Sequence, residues 1–346
     1  MGFKPRFKIT NTTLNNLTQV SASKSFIEKA PIIPVWEAKL RKQAIVRSAH
    51  FSTAIEGNKL TLEEVESILE GKEVEYVRLR DRQEVLNYKK IIVFISTNPE
   101  VTVETINRIN KISLEKIDEK NGGELRKIQN YVVKQNEDGT KQIIYTPPKP
   151  DEVPRLIKEL VEWVHEEIGK KTSSVLVAGV AHHQLVTIHP YVDGNGRTAR
   201  ALATLILYNS GYDIKKLFSL EEYYDQDLAH YYDSIQKAMD MKDLTEWLEY
   251  FTEGIATELT RIEKEILELT KKQKVAVEPE KLRIELNRRQ LKALNHIRKE
   301  GKITNREYRK KFGVSNYTAY KDLEELHKRR LVKKVGKGRT TYYTTE

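Results

Sequence analysis

Cysteine is absent from this 346-residue sequence. Its absence excludes disulfide bridges, thiolate zinc sites and thiol nucleophiles, and it suits a reducing cytosol. Long apolar runs are also missing, since no stretch approaches the roughly 20 residues that span a bilayer. The stretch Met1–Lys8 contains no apolar core of the kind found in signal peptides. We therefore expect a cytoplasmic protein that is neither exported nor inserted in a membrane, and that holds two or three domains.

Acidic residues are scarce near the C-terminal end. The whole sequence carries a net charge of +10. Residues 287–346 contain 18 Lys and Arg against 6 Asp and Glu, a net of +12, whereas the preceding residues contain 42 against 44, a net of −2. The positive surface is therefore confined to the C-terminal region, where it indicates a nucleic-acid partner.

A dense group of chemically active residues lies in the segment His189-Pro-Tyr-Val-Asp-Gly-Asn-Gly-Arg-Thr-Ala-Arg200. The preceding residues, 174–188, are apolar nearly all round and predict a helix buried in a core. Pro190 cannot continue that helix, so His189 should lie at its end and face a cleft. A solvated charged turn is the plain alternative for this segment.

A second helix is predicted from Arg197 to Tyr208. Gly194 and Gly196 permit a tight backbone path before it, and the first N–H groups of a helix lack partners and attract anions. Arg197 and Arg200 are three residues apart and share one helix face. The segment therefore predicts a phosphate site. A standard P-loop is excluded, because no Gly-Lys-Ser/Thr follows the glycines.

The segment resembles the Fic signature, His-Pro-Phe-x-Asp/Glu-Gly-Asn-Gly-Arg-x-x-Arg, with Tyr191 in place of phenylalanine. The resemblance implies an enzyme that transfers AMP from ATP to a Ser, Thr or Tyr hydroxyl of a protein. It makes His189 the general base, a role that suits the near-neutral pKa of histidine. It further implies Mg²⁺ on Asp193, the α-phosphate at Gly194, Asn195 and Gly196, and the β- and γ-phosphates on Arg197 and Arg200.

A carboxylate is placed unfavourably upstream, in Ser52-Thr-Ala-Ile-Glu56-Gly57. A helix from about Trp36 should end at Gly57, and a carboxylate at a helix C-terminus is destabilising unless a cation is near. Glu56 could simply be solvated. The pattern Ser-x-x-x-Glu-Gly, however, resembles the inhibitory motif of Fic proteins whose inhibitory helix precedes the core. That resemblance implies that Ser52 and Glu56 belong to a lock in which Glu56 pairs with Arg200.

A β-hairpin is predicted between these segments, at residues 131–146, with its turn at Asp138-Gly139. It is either a surface excursion or a functional flap. In Fic proteins the matching hairpin binds the target backbone by strand addition, which implies that Ile143, Ile144 and Tyr145 dock the target.

Aromatic residues follow the motif at helical spacing, which usually indicates core packing. Tyr231 and Tyr232 lie where the family places an aromatic residue of the adenine pocket. Stacking on the base is the reason that an aromatic residue would serve there.

The basic C-terminal region predicts three helices followed by a hairpin with Gly336 and Gly338 at its tip, with a capping box at Thr304 to Glu307 and a helix cap at Ser315. This order resembles a winged helix-turn-helix. The resemblance implies that the third helix reads duplex DNA and that the wing contacts phosphates. The candidate contacts are Asn316, Tyr317, Tyr320 and Lys321 in the helix, and Lys337 and Arg339 in the wing. Recognition of a protein is the alternative, since Asp322, Glu324 and Glu325 weaken the positive face.

The sequence therefore predicts a mainly α protein: a Fic helical fold with a β-hairpin flap, followed by a winged helix-turn-helix domain. We expect an N-terminal helical region with the inhibitory helix at 1–100, the catalytic core at 101–254, a helical linker at 255–286 and the winged helix at 287–346. Two other functions are open: a DNA-binding regulator whose core only senses nucleotide, and a Fic enzyme that moves another phosphate-bearing group or removes AMP. A homodimer is also open.

Overall fold

The structure is a computed structural model that describes residues 2–344 except 31, 33, 136–139, 213–216, 277–286, 329–330 and 337. The chain divides into two compact units. The larger unit comprises residues 1–31 and 35–266, and the smaller unit comprises residues 32–34 and 267–346. No helix in the described ranges combines the length and the apolar composition needed to cross a membrane.

In the described residues the larger unit is mainly helical: five α-helices precede a two-stranded hairpin, and six α-helices follow it, with a π-helical turn at Tyr208–Tyr212. The helices are α1 (Asn11–Lys29), α2 (Pro34–Ala54), α3 (Leu62–Leu69), α4 (Leu79–Ile95), α5 (Val103–Ser113), α6 (Val153–Gly169), α7 (Ser174–Ile188), α8 (Asn195–Leu207), α9 (Glu221–Gln226), α10 (Leu228–Met241) and α11 (Thr245–Ala276), and the antiparallel strands are β1 (Val132–Gln135) and β2 (Lys141–Tyr145). The predicted turn at Asp138-Gly139 lies outside the described residues.

Helix α7 lies at the centre of the core and packs against α6 and α8, while α8 also packs against α4 and α5. The absence of a side chain at Gly179 lets α11 approach α7 closely. A Cβ atom at Gly179 would lie 2.9 Å from both the Leu248 and the Phe251 side chains. The Trp247 indole N–H donates to the Gly179 carbonyl at 2.8 Å, which fixes the register of the two helices. The apolar character of α7 therefore reflects burial on all sides.

Local capping signals set several helix ends. Thr61 and Glu64 form the predicted reciprocal capping box at the start of α3. Gly57, with a φ of 92°, takes the chain out of the turn that follows α2. At the other functional segment, α7 ends at Ile188, directly before His189. Helix α8 begins at Asn195, two residues before the predicted start.

In its described residues the smaller unit has three α-helices, a short 3-10 helix at Gly338–Thr340 and a three-stranded antiparallel sheet. The α-helices and strands are α12 (Arg288–Glu300), β3 (Lys302–Thr304), α13 (Asn305–Phe312), α14 (Asn316–Lys328), β4 (Lys333–Val335) and β5 (Tyr342–Thr344), with the strands in the order β3-β5-β4. Strand β3 was not predicted. Thr304 and Glu307 form the predicted capping box, and the Ser315 hydroxyl accepts from the Thr318 amide at 3.1 Å.

The expected linker at 255–286 is wrong in its first part. Helix α11 continues without interruption from Thr245 to Ala276. Its residues Ile255, Leu259, Ile262 and Ile266 are buried and form an apolar stripe at helical spacing. That stripe holds the segment up to Ile266 in the larger unit. The same unit also contains the boundary expected at residue 100, so the first two predicted domains form one compact body.

Asp322 is the polar centre of the smaller unit. Its buried carboxylate accepts hydrogen bonds from Asn287 Nδ2 at 2.8 Å, Arg289 Nε at 3.0 Å and Tyr308 Oη at 2.9 Å. The acidic side chain therefore ties α12, α13 and α14 together, and it is withdrawn from the exposed face where it was expected to weaken the positive charge.

We predict that Asp322→Ala destabilises the smaller unit by about 2 kcal/mol, because it leaves buried donors without their charged acceptor. All three tryptophans, Trp36, Trp163 and Trp247, lie in the larger unit. Urea unfolding followed by circular dichroism should therefore show an earlier transition, while tryptophan fluorescence should not move. The exposed control Glu300→Ala should leave both unchanged. An unaltered dichroism curve for Asp322→Ala would contradict the assigned role.

Candidate active site

The backbone at His189 adopts an unusual conformation for a residue with a side chain. Its φ of 48° and ψ of 58° lie in the left-handed region, at the C-terminal end of α7. The His189 carbonyl accepts from Arg126 Nε at 2.9 Å, and the Arg126 amide donates to the Pro190 carbonyl at 2.9 Å. Arg126 therefore holds the main chain of the site. It lies 63 residues before His189, so no local spacing in the sequence could have singled it out.

The imidazole of His189 is suited to accept a proton. Burial lowers its pKa below the usual value, and the Arg126 guanidinium lowers it further. The Val186 carbonyl and the Glu56 and Asp193 carboxylates act in the opposite direction without reversing the shift. A lowered pKa keeps the ring neutral at neutral pH, which is the state that a general base requires.

The turn after His189 depends on a glycine. Gly194 has a φ of 79° and forms the N-cap of α8. A Cβ atom there would lie 2.7 Å from Ser113 Oγ and 3.0 Å from Asn110 Nδ2 on α5. Asn110 Nδ2 donates to the Asp193 carbonyl at 2.9 Å, and Asn110 Oδ1 accepts from the Gly123 amide at 2.9 Å. Helix α5 thus braces the turn at the start of α8, a contribution that the sequence analysis missed.

The structure corrects the expectation for the side chain of Asn195. That side chain is buried, and both of its polar atoms are bonded to the backbone of Tyr191. Asn195 Oδ1 accepts from the Tyr191 amide, and Asn195 Nδ2 donates to the Tyr191 carbonyl, each at 2.9 Å. Asn195 therefore braces the loop, and an anion at this turn is left to the backbone N–H groups at the start of α8. Tyr191 itself is buried, and its hydroxyl donates to Asn107 Oδ1 at 2.7 Å.

Arg197 has buried donors that find no hydrogen-bond acceptor among the described residues. Its side chain is 2% exposed, and its Nη2 atom lies 3.3 Å from Asp193 Oδ1. Its Nε and Nη1 atoms are buried without a hydrogen-bond partner, although Nη1 lies 3.8 Å from Glu84 Oε1. Because buried unpaired donors are costly, this guanidinium fits a bound anion.

Arg200 is also buried, and its partners come from the end of α2. Its Nε atom donates to Ser52 Oγ at 2.9 Å, and its Nη2 atom donates to the Ser52 carbonyl and to Glu56 Oε1, both at 2.8 Å. Burial lowers the pKa of Arg200, but the Glu56 carboxylate, together with the Tyr231 and Tyr88 hydroxyls, outweighs burial and the pKa is raised. The structure thus brings Ser52, Glu56 and Arg200 together.

The Glu56 carboxylate lies against the first turn of α8. A Cβ atom on Gly196 would come within 2.3 Å of Glu56 Oε1. The carboxylate therefore occupies the end of a helix where unpaired N–H groups and the positive end of the helix dipole favour an anion. Glycine at position 196 permits this close approach. The Glu56 side chain remains 30% exposed.

The Asp193 carboxylate is 39% exposed and lies beside the same helix end. Its oxygens are the hard ligands that Mg²⁺ prefers, and a neighbouring phosphate would supply further oxygens. The residues present therefore fit one magnesium ion held jointly by the protein and a phosphate. No group of three or more His, Asp or Glu residues that could hold a metal alone occurs in the described part of the chain.

The hairpin is attached next to His189. Tyr145 Oη donates to the Thr187 carbonyl at 2.9 Å, which ties the end of β2 to the last turn of α7. Ile143 and Ile144 are exposed. Of the three residues expected to dock a target, Tyr145 therefore anchors the hairpin, and the two isoleucines are accessible.

The two tyrosines expected in the adenine pocket differ in accessibility. Tyr231 is 1% exposed, with its ring against Tyr224 and its hydroxyl 3.1 Å from His182 Nε2. It offers no free face to a base, so the structure corrects that expectation. Tyr232 is 47% exposed, and its hydroxyl donates to the Ile55 carbonyl at 3.2 Å. Only the second of the pair can stack on a ligand.

The smaller unit has a basic groove between α14 and the strands. The predicted contacts Asn316, Tyr317, Tyr320 and Lys321 are all exposed on α14. The groove has a volume of about 930 Å³ and includes Arg306, Arg309 and Lys334 in its lining. Glu324 lies between Lys334 and Tyr343 and bonds to both side chains. Lys337 lies outside the described residues, as does the side chain of Arg339.

Comparison with known proteins identifies the part of the chain that carries the motif. Residues 100–207 match the model of the Fic/DOC family. Over 179 residues the chain is 31% identical to "Protein adenylyltransferase Fic" of Drosophila willistoni and 30% identical to that of Drosophila grimshawi. These matches cover 50% of this chain but 34% and 35% of those proteins, so they span about a third of the curated relatives.

Solved structures share the fold. A Fic family protein from Desulfovibrio desulfuricans G20 aligns with a TM-score of 0.65 and 20% identity over 99% of this chain and 98% of its own. A Fic domain containing signaling protein from Bacteroides thetaiotaomicron aligns with a TM-score of 0.61 and 21% identity over 72% of this chain and 96% of its own. The family match identifies a Fic domain at residues 100–207, and the likenesses to solved structures show the fold.

Proposed function

We propose that the protein is a protein adenylyltransferase that transfers AMP from ATP to a Ser, Thr or Tyr hydroxyl of a target protein or of itself. The observation that carries the proposal is the grouping of a neutral histidine, His189, with two buried guanidiniums, Arg197 and Arg200, at the N-terminus of α8. The curated relatives are named for this activity. A cytoplasmic location belongs to the same proposal.

The triphosphate would bind along the start of α8. The backbone N–H groups around Asn195 and Gly196 would hold the α-phosphate. The unpaired Nε and Nη1 donors of Arg197 would bind the β-phosphate, and Arg200 would bind the γ-phosphate once it is free. Asp193 would hold Mg²⁺, which neutralises phosphate charge when bound. The exposed ring of Tyr232 is the remaining candidate for the adenine.

The proposed reaction is an in-line substitution at the α-phosphorus. His189 takes the proton of the target hydroxyl, whose oxygen forms a bond to that phosphorus. The bond from the phosphorus to the β-phosphate oxygen breaks, and pyrophosphate leaves with the bonding electrons. Since no covalent enzyme intermediate is needed, positioning and charge stabilisation provide the acceleration.

The hairpin is proposed as the docking flap for the target. Its anchor at Thr187 places β2 next to the histidine, and an extended segment of the target would add to the hairpin edge as a further strand. Ile143 and Ile144 would then contact target side chains, since both are exposed.

Inhibition in cis is the second part of the proposal. Glu56 occupies the helix end at Gly196 and pairs with Arg200, so the γ-phosphate and the carboxylate compete for one guanidinium and one helix dipole. A nucleotide that binds while Glu56 is in place would lack the γ-phosphate contact and would present its α-phosphate out of line. Release of Glu56 would restore the productive pose.

The first test removes the base. In the background of Glu56→Gly, His189→Ala should abolish AMP transfer and leave ATP affinity nearly unchanged, because Arg126 holds the backbone rather than the ring. The matched control His165→Ala removes a partly exposed histidine of α6. Radiolabelled AMP incorporation and ATP calorimetry provide the two measurements. Transfer within about tenfold of the background would refute the role of His189.

The pH dependence gives the same test without a substitution at His189. The lowered pKa predicts that transfer by Glu56→Gly rises with pH through an apparent pKa below that of a free histidine, and then stays level through neutral pH. A rise centred above neutrality would contradict a neutral base.

The second test releases the lock. Glu56→Gly should raise AMP transfer, self-modification included, by about tenfold or more, since a difference of about 1.4 kcal/mol between two poses corresponds to tenfold. Adding Arg200→Ala should reverse the gain, because the γ-phosphate loses its ligand. The control Glu63→Ala changes an exposed carboxylate on α3 and should have no effect. Equal transfer by Glu56→Gly and the parent would refute inhibition by Glu56.

Other outcomes of these assays identify the alternatives. ATP binding by Glu56→Gly without any transfer would indicate a core that senses nucleotide within a regulator. Transfer of a different group from another labelled nucleotide, or release of AMP from modified protein, would indicate a Fic enzyme with different chemistry.

A second function is proposed for the smaller unit, which we interpret as a winged helix-turn-helix that binds duplex DNA. The specific observation is that Arg306 and Arg309 line the groove while Asp322 is buried beside Arg289, so the groove keeps positive charge although Glu324 neutralises Lys334. Tyr317 and Lys321 lie on the exposed face of α14, which would enter the major groove. The wing residues Lys337 and Arg339 would contact phosphates.

The full-length protein should bind duplex DNA with an affinity that falls about 100-fold between 50 and 200 mM salt, as expected for about four phosphate contacts. Lys321→Ala should weaken binding severalfold, whereas Lys158→Ala, an exposed lysine of the larger unit, should not. Fluorescence anisotropy at two salt concentrations measures both effects. Absence of binding at low salt would point to protein recognition by this unit.

A further inference from the structure

Two side chains on either side of Gly57 leave the same turn in different directions. Glu56 reaches Arg200, as described above. Asn58 is buried, and its Nδ2 atom donates to Glu84 Oε2 at 3.1 Å and to the Asp81 carbonyl at 3.0 Å, both on α4. The turn that carries the inhibitory glutamate therefore also fixes a buried carboxylate on a neighbouring helix.

Glu84 in turn positions Arg80, one helical turn earlier. Arg80 Nε donates to Glu84 Oε1 at 3.0 Å, and Arg80 Nη2 donates to Asp193 Oδ2 at 3.0 Å. No local sequence pattern marks Arg80, Glu84 or Asn58 as part of the site. They form a continuous chain of hydrogen bonds from the inhibitory turn to the carboxylate that would hold Mg²⁺.

Both oxygens of Asp193 are bonded to cations in this state. Oδ1 lies 3.3 Å from Arg197 Nη2, and Oδ2 lies 3.0 Å from Arg80 Nη2. A magnesium ion must approach a carboxylate oxygen to about 2.1 Å in near-octahedral geometry. It would meet the Arg80 guanidinium at that oxygen, and two cations that share one carboxylate repel each other.

We propose that Arg80 competes with the divalent cation for Asp193, so that the turn at residues 56–58 restrains the site at two points. This inference rests on the proposed adenylyltransferase function. Glu56 pairs with Arg200, the proposed ligand of the γ-phosphate. Asn58 bonds to Glu84, and Glu84 keeps Arg80 paired with Asp193, the proposed ligand of the metal. Arg80 acts as a positioning residue and has no part in the bond-breaking step.

The size of the effect follows from exposure. The Arg80 side chain is 61% exposed and Asp193 is 39% exposed, so the pair is screened by solvent. Pairs of this kind are displaced easily, and an effect of about threefold to fivefold on cation affinity is the expected range. Arg80 therefore adjusts the cation concentration at which the site fills, and it does not block the site.

Arg78 provides a matched control. It lies at the N-cap of α4, carries the same charge, is 69% exposed, and pairs with Asp81 at 2.8 Å. Its Nε atom donates to Asp81 Oδ2, so among the described contacts Arg78 takes no part in the pairs of Glu84 and Asp193. Arg78→Ala therefore removes one positive charge from the same region without freeing Asp193.

The experiment measures Mn²⁺ binding to the full-length protein by electron paramagnetic resonance, alone and with ATP, and ATP binding in EDTA by calorimetry. Arg80→Ala should lower the Mn²⁺ concentration for half-saturation threefold to fivefold, Arg80→Lys should do so less, and Arg78→Ala should not. ATP affinity in EDTA should be the same for all three. In combination with Glu56→Gly, the shift caused by Arg80→Ala should persist.

Three results would overturn the inference while leaving the proposed function in place. Equal shifts for Arg80→Ala and Arg78→Ala would show a general field effect. No shift for Arg80→Ala, with ATP and Mn²⁺ still bound, would show that Arg80 does not compete. Weaker ATP binding by Arg80→Ala in EDTA would make Arg80 a phosphate ligand. Failure of Glu56→Gly to bind ATP under any condition would refute the proposed function itself, and the inference would fall with it.

Discussion

A guanidinium buried in a protein requires anions and hydrogen-bond acceptors, and the rest of the site is arranged around meeting that requirement for Arg200. The free energy of removing a charge from water is large, and only well-placed partners offset it. In this structure the partners are Ser52 in the last turn of α2 and Glu56 in the turn that follows α2. The same contacts therefore dock the end of α2 on the core and orient the Arg200 side chain.

A buried polar cluster around Glu221 also fixes the position of α2. The Glu221 carboxylate accepts from the Tyr88 hydroxyl at 2.7 Å, and from the Ser48 and Ser219 hydroxyls at 3.1 Å each. Ser48 belongs to α2, one turn before Ser52. A satisfied buried network of this kind specifies one position for a helix more sharply than apolar contacts do. It explains why a helix with polar residues on its core side has a defined register in an apolar core.

The parts of the site that could be predicted from the sequence are those set by neighbouring residues. Pro190 ended α7, the glycines shaped the turn, and Thr61 with Glu64 began α3, because each acts within a few positions along the chain. The basic C-terminal region and its capping signals likewise gave the helices of the smaller unit. The pairing of Ser52 and Glu56 with Arg200 came from resemblance to a known motif, and spacing alone could not have supplied it.

The parts that could not be predicted depend on contacts between distant segments. Arg126, Asn110 and Arg80 reach the motif from other helices or loops, and nothing in their local sequence marks them. The prediction that Tyr231 contacts a ligand was wrong because its side chain is buried. Burial depends on the packing of several helices, whereas the aromatic pattern gives only the residue type. The prediction of a linker from residue 255 was wrong for a related reason. The many charged residues of α11 obscured the apolar stripe from Ile255 to Ile266 on its other face.

The approach of Glu56 to the backbone of Gly196 has a thermodynamic consequence. In the proposed function the Glu56 carboxylate and the nucleotide phosphates compete for one helix end and for Arg200, so a contribution that strengthens the Glu56 contact would weaken productive nucleotide binding. The free energy of unfolding and the affinity for nucleotide would therefore change in opposite directions. Under that proposal, a substitution that stabilises the free protein through this contact would also lower its affinity for nucleotide, whatever the distance of the substituted residue from the nucleotide.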